Sequence, residues 1–198
     1  MSVVPLDLLI APFFAAAGLV VASGSAKLRH PGSAAGALQA LRLPSGRWIV
    51  RGIGLVEILV GMWCLFAPGR ASAVSMGLLY ATFATFLGLL MRAGAHSSCG
   101  CLGTEEVPPT VLHIVMDALA ATTAVFMATN AAPGIVAYSA RVHLQGMPFL
   151  LGTALIAYLA YMVVAYLPAA FWAYERPAGP DVSGVRPRRF ALTAMEDR

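Results

Sequence analysis

Five long apolar stretches divide the chain and are separated by more polar connections. They cover residues 8–26, 48–66, 71–91, 108–129 and 147–172. A helix needs roughly 20 predominantly apolar residues to cross the hydrocarbon core of a bilayer, so each stretch is long enough to span it. The pattern predicts an all-α integral membrane protein, in which a four-helix transmembrane bundle is followed by a fifth transmembrane helix.

The same pattern divides the chain into three parts. Residues 1–129 are predicted to form the four-helix membrane domain, with a short interfacial helix at 34–41 between the first two spans. Residues 130–175 provide an outer connection and the fifth transmembrane helix. The tail 176–198 is rich in Pro, Gly and Arg and is predicted to be flexible.

Composition supports a membrane protein and excludes a soluble one. The chain is 59% hydrophobic and only 11% charged, whereas soluble domains carry about 25% charged residues. Its net charge of +4 does not indicate nucleic-acid binding, because the basic residues lie where membrane topology would place them. The lipid bilayer is therefore the expected environment, and no nucleic-acid partner is expected.

The distribution of basic residues predicts the orientation. Eleven of the 13 Lys and Arg residues fall in the connection after the first span, in the loop after the third, and in the tail. Basic residues accumulate on the cytoplasmic side of membrane proteins. The N-terminus is thus predicted to lie outside, and the C-terminus and the loop 92–107 in the cytoplasm.

A glycine-spaced cysteine pair, Cys99-Gly100-Cys101, is the main candidate for chemistry. Glycine tolerates the backbone angles of a small disulfide ring, and strained or exposed disulfides are readily reduced. Such a pair therefore suits redox cycling better than a structural bridge in a reducing compartment. Alternatively, the two sulfurs bind zinc or copper(I) with His96 or His113, or the turn is chemically inert.

Two acidic residues lie deep inside predicted spans, Glu57 in the second and Asp117 in the fourth. Such residues usually face a partner or a wet cavity. Lys27 and Arg51 lie nearer the cytoplasmic surface and can reach inward, and His113 is one turn from Asp117 on the same helix face. The group forms either a polar path that favours a thiolate in the cysteine loop and relays protons, or a structural ion pair between helices.

The third cysteine, Cys64, lies near the outer end of the second span. A lone cysteine on an apolar helix is usually a small core residue, and Cys64 is predicted to be one.

The order of the motifs resembles that of the MauE family, membrane proteins of methylamine utilisation within the wider DoxX-like group. The resemblance covers roughly residues 8–129. It rests on Ser-Gly-Ser-Ala-Lys-Leu-Arg-His-Pro at 23–31, Val-Glu-Ile-Leu-Val-Gly at 56–61, Cys-Gly-Cys-Leu-Gly at 99–103 and the polar start of the fourth helix. Leu102 stands where the family pattern has phenylalanine.

The resemblance implies a multi-pass protein of the bacterial plasma (inner) membrane that works with a thioredoxin-like partner to form or rearrange disulfides in an exported enzyme. By carry-over, Cys99 and Cys101 form the redox pair, and Lys27 and Glu57 are buried polar partners. No cofactor is expected, although a metal ion is the alternative. Because the charge pattern places the loop in the cytoplasm, either the loop dips into the bundle and relays electrons outward, or its partner is cytoplasmic.

Two other functions are compatible with the sequence. In the first, the chain is a non-enzymatic accessory subunit of a larger respiratory or oxidoreductase complex, and the fifth helix is its docking surface. In the second, the chain is a metal-handling protein that uses Cys99, Cys101 and His96. Only the redox hypothesis makes the chain an enzyme, a thiol–disulfide oxidoreductase.

Overall fold

A computed structural model describes residues 6–94, 110–130, 134–141 and 146–175, and helices account for nearly all of them. The helices are α1 Leu6–Arg29, α2 Pro31–Ala40, α3 Arg47–Phe66, α4 Arg70–Arg92, α5 Val111–Thr129, α6 Ile135–Arg141 and α7 Gly146–Glu175. The described part of the chain contains no strand. Four helices, α1, α3, α4 and α5, are long and apolar enough to cross a membrane. These observations confirm the prediction of an all-α membrane protein.

The predicted spans agree with the observed helices to within three residues at each end, and one of these differences affects a candidate residue. The fourth span was expected to begin at 108, whereas α5 begins at Val111 after an extended Thr110. Asp117 therefore lies about 9 Å along its helix, nearer the end than the sequence suggested. The last helix, α7, has 30 residues. Its described apolar segment, Met147–Val163, is shorter than the four candidate membrane spans.

Helix α1 lies at the centre of the bundle. Half of its apolar window is buried, against 28%, 22% and 17% for α3, α4 and α5. It packs against α3, α5 and α7, while α4 and α5 form a second antiparallel pair. The main core cluster is built around α1 and includes Phe13, Phe14, Val20, Met76 and Met127. Most lipid-facing side chains therefore lie on the other helices.

Glycine lets α1 and α3 approach very closely. A Cβ atom on Gly54 would lie 2.7 Å from the Gly24 carbonyl oxygen, and one on Gly61 would lie 2.8 Å from the Ala17 oxygen. Both distances are shorter than any normal contact, so only glycine fits. Such small-residue contacts are the usual way in which membrane helices pack backbone to backbone.

Helix α2 lies where a short helix is predicted between the first two spans, although it begins three residues earlier than expected. His30 interrupts the chain after α1, and Pro31 takes the first helical position, where the missing N–H costs no hydrogen bond. Ala37 packs with Leu87 and Leu90 of α4. The short helix therefore covers one end of the bundle.

That end, called the basic end below, holds the C-termini of α1 and α4 and the N-termini of α3 and α5. Basic residues of α1, α3 and α4 lie at this end: Lys27, Arg29, Arg47, Arg51 and Arg92. The segment 95–109, which lies outside the described residues, is attached here at both ends, to α4 and to α5.

At the opposite end, the structure contains a helix that the sequence did not predict. The sequence predicts only an outer connection after 130, but part of this connection is α6. The Tyr138 ring packs on Phe149 of α7 with centroids 4.7 Å apart. Helix α6 therefore links the start of α7 to the bundle.

Candidate functional site

A buried ion pair joins α1 to α3. The Lys27 Nζ atom lies 2.9 Å from Glu57 Oε2, to which it donates a hydrogen bond, and 2.8 Å from Oε1. The Lys27 side chain is 9% exposed and the Glu57 side chain is fully buried. Both charges are thus removed from solvent and lipid and neutralise each other.

The glycines of the close approach also explain why these two charges meet. Gly24 and Lys27 are three residues apart, as are Gly54 and Glu57, so each glycine shares a helix face with its charged residue. When the two glycines bring α1 and α3 together, the charged side chains fall on the same interface. The ion pair is therefore a consequence of the helix packing.

Further groups complete the surroundings of the Lys27 ammonium. It donates a hydrogen bond of 2.7 Å to Ser23 Oγ, one turn earlier on α1. It also lies 5.4 Å from the centre of the Phe83 ring on α4, within the range of a cation–π contact. Arg51, the other candidate cation, is exposed and lies 5.5 Å over the Trp48 ring instead.

The second predicted pair, His113 and Asp117, lies on α5. His113 is buried at 4% exposure, and its Nδ1 atom shares a 2.8 Å hydrogen bond with Thr110 Oγ1. Asp117 is one turn further along and partly buried. The two residues share the inner face of the helix, as their spacing predicts.

A cavity of about 260 Å³ connects the two polar groups. It lies between α1, α4, α5 and α7, and most of its lining is apolar. His113 and Asp117 line it from α5, and Ser23 lines it from α1. Because Ser23 also binds Lys27, this hydroxyl lies between the ion pair and the cavity.

Sequence reasoning did not single out Ser23 or Tyr80 as site residues. Ser23 enters the sequence argument only as the first residue of the motif at 23–31, although its position one turn before Lys27 is a usable signal. Tyr80 lines the cavity from α4, and its hydroxyl donates a 2.8 Å hydrogen bond to the Ala16 carbonyl oxygen. Nothing in the sequence around Tyr80 distinguishes it from other aromatic residues of the spans.

The structure describes only one of the three cysteines, Cys64. Cys64 is fully buried in the core cluster, and its thiol contacts the Ser72 carbonyl oxygen at 3.3 Å, in agreement with the predicted core role. Cys99, Cys101 and His96 lie outside the described residues. Among the residues that are described, no group of three or more His, Cys, Asp or Glu side chains is arranged to hold a metal ion.

Comparison with protein families gives a match to the family described as methylamine utilisation protein MauE, over residues 5–133. The chain belongs to the MauE family. The matched region contains α1 to α5, the Lys27–Glu57 pair and the Cys99-Gly100-Cys101 motif. Comparison with curated proteins and with solved structures gave no significant match.

The family match shows which part of the structure this chain shares with the MauE family. All of α6 and all of α7 lie outside the matched region, so the family unit is the four-helix bundle with its connecting segments. The ion pair and three of the four cavity walls belong to that unit, whereas α7 supplies the fourth wall.

Proposed function

We propose that this MauE-family protein is a membrane-embedded thiol–disulfide electron-transfer protein that works with a thioredoxin-like partner. The observation that carries the proposal is the Cys99-Gly100-Cys101 motif inside the region matched by the family. Redox maturation of another protein is the process in which such a pair would act.

The chemistry is an exchange between thiols and a disulfide. The thiolate of one loop cysteine attacks a partner disulfide, forms a mixed disulfide and releases one partner thiolate. The second loop cysteine then attacks the mixed disulfide, which closes the Cys99–Cys101 bond and releases the partner in its dithiol form. Two electrons pass from the loop to the partner, and the reverse sequence oxidises the partner.

The bundle gives this chemistry a rigid base. The loop is attached to Gly94 after α4 and to Thr110 before α5, and these two helices pack tightly against each other. His113 lies within the first turn of α5 and shares a hydrogen bond with Thr110. An imidazole near the attachment point is suited to accept or supply protons when thiols titrate.

The proposal includes the orientation of the protein in the membrane. The basic end faces the cytoplasm of a bacterial plasma membrane, because 11 of the 13 Lys and Arg residues of the chain lie there or in the tail. The N-terminus then lies outside, and the cysteine loop meets either a cytoplasmic partner or the interior of the bundle.

Cysteine labelling tests this orientation. In a protein whose three native cysteines are replaced by serine, Ala132→Cys should react with an impermeant maleimide in intact cells. Ser183→Cys should react only after permeabilisation, because the tail is expected in the cytoplasm. The reverse pattern would contradict the cytoplasmic position of the loop as well.

Equilibration with thioredoxin tests the redox function. Purified protein in detergent should lose two alkylatable thiols when incubated with oxidised thioredoxin and regain both with reduced thioredoxin, because the loop pair follows the redox state of its partner. The Cys64→Ser variant should behave identically, since the Cys64 thiol is buried in the core. A thiol count that is independent of thioredoxin would contradict the proposal.

A further inference from the structure

The cavity beside the ion pair has the composition of a ligand site. Its lining is largely apolar, but polar side chains from all four surrounding helices reach it. Examples are Ser23 of α1, Tyr80 of α4, His113 and Asp117 of α5, and Tyr161 of α7. Small-molecule sites are typically apolar clefts with a few such polar groups.

The cavity opens toward the bilayer. Leu119 of α5 and Ile156 of α7 line it, yet they expose 58% and 40% of their surfaces. Leu119 lies about 12 Å along α5 from its start, a depth well inside a membrane-spanning helix. A ligand that enters between α5 and α7 therefore comes from the lipid phase.

Size and polarity then restrict the ligand. The volume of about 260 Å³ is just below the range of about 300–1,000 Å³ that drug-sized ligands occupy. It accommodates one substituted ring, while an attached chain extends through the opening into lipid. Tyr161 offers an O–H donor to a ring oxygen, and His113 and Asp117 are groups that exchange protons.

We propose that this cavity binds the head group of a lipid-soluble quinone, which accepts the electrons of the cysteine pair; the proposal rests on the redox function proposed above. Oxidation of the Cys99 and Cys101 dithiol breaks two S–H bonds and forms one S–S bond. It releases two electrons and two protons, which convert the two carbonyl groups of the quinone into the two hydroxyl groups of the quinol. The polar side of the cavity belongs to the end of the bundle at which the loop is attached.

Binding of decylubiquinone to the protein in lipid nanodiscs tests the cavity. The Cys99→Ser/Cys101→Ser protein should bind it saturably, because binding does not require turnover. Ala160→Phe fills the cavity from α7 and should weaken binding more than about tenfold, since packed sites do not accept the extra volume. Ala154→Phe, on an exposed face of the same helix, is the matched control and should leave binding unchanged. Equal binding by the two variants would overturn the proposal.

A second pair of variants tests recognition of the head group without changing side-chain size. Tyr161→Phe removes one hydroxyl from the cavity and should weaken decylubiquinone binding about threefold to tenfold, the effect of one lost hydrogen bond. Tyr158→Phe removes an exposed hydroxyl and should have no effect. Dodecylbenzene, which has no carbonyl groups, should not compete. Effective competition by dodecylbenzene would identify the cavity as a site for lipid chains and overturn the proposal.

Measurement of quinone reduction distinguishes failure of the quinone site from failure of the thiol–disulfide function proposed above. Reduced wild-type protein mixed anaerobically with decylubiquinone should form one quinol for each pair of thiols lost, and the Cys99→Ser protein should form none. If the protein exchanges with thioredoxin but neither binds nor reduces the quinone, the quinone site is wrong and the redox function stands. If the quinone binds without being reduced, its role as electron acceptor is wrong. Absence of thioredoxin exchange would remove the redox function itself.

Discussion

Replacing Lys27 by alanine should destabilise the folded protein far more than replacing Glu57 by glutamine. Removal of the lysine leaves a carboxylate with no exposed surface and without its cation. Breaking a buried ion pair in this way costs about 3–5 kcal/mol, which corresponds to more than about a hundredfold in the folding equilibrium. Glutamine at 57 keeps a carbonyl oxygen that can accept the Lys27 hydrogen bond.

The ammonium left in the Glu57→Gln protein is much better accommodated. It retains the Ser23 hydroxyl and the face of the Phe83 ring. It also lies two residues from the end of α1, where a long lysine side chain can extend toward the interface. We expect this variant to lose about 1 kcal/mol, the value of an ordinary hydrogen bond.

The free energy of unfolding in mixed micelles of detergent and SDS measures both effects. A double variant, Lys27→Met with Glu57→Gln, carries neither charge and should recover most of the stability that Lys27→Ala loses, because it strands no charge. Arg51→Ala is the matched control for loss of a basic residue, since Arg51 is exposed. Equal and small effects of Lys27→Ala and Glu57→Gln would contradict the importance of the pair.

The helices could be predicted from sequence because membrane spans are long and uniformly apolar. Helix α6 was missed because it has only seven residues and is held by tertiary contacts such as Tyr138 on Phe149. The start of α5 was placed three residues too early because apolar Val107 and two prolines precede Thr110 and look like a helix start.

The buried pair was only half predictable. The residues alone left both Lys27 and Arg51 as candidate partners of Glu57, because the rotation of α1 against α3 was unknown, whereas the family resemblance named Lys27. The close approach at Gly24 and Gly54 decides that rotation, and the matching three-residue spacings could have favoured Lys27. The cavity was not predictable, because a void depends on how the side chains of four helices fail to fill space.

Substituting the loop cysteines one at a time should produce two qualitatively different proteins. If Cys101 is the attacking residue, the Cys99→Ser protein forms a mixed disulfide with its partner that nothing can resolve. Cys101 is assigned this role because it is nearer along the chain to the N-terminus of α5, and a helix N-terminus favours a thiolate. The Cys101→Ser protein should form no adduct.

The other hypotheses predict different outcomes for the same variants. In a metal-handling protein that uses Cys99, Cys101 and His96, both serine variants lose metal alike and no adduct forms. In an accessory subunit with an inert turn, neither metal content nor gel mobility changes. An adduct in the Cys101→Ser protein alone would reverse the roles of the two cysteines but would still require a redox pair.

The most direct measurement is therefore a non-reducing gel of acid-quenched cells that express each single variant in a Cys64→Ser background. That background ensures that any adduct comes from the loop. The account predicts a covalent adduct of the Cys99→Ser protein that disappears on reduction, and monomer alone for Cys101→Ser. Absence of an adduct in both variants, with metal content unchanged, would contradict the thiol–disulfide function and favour the accessory subunit.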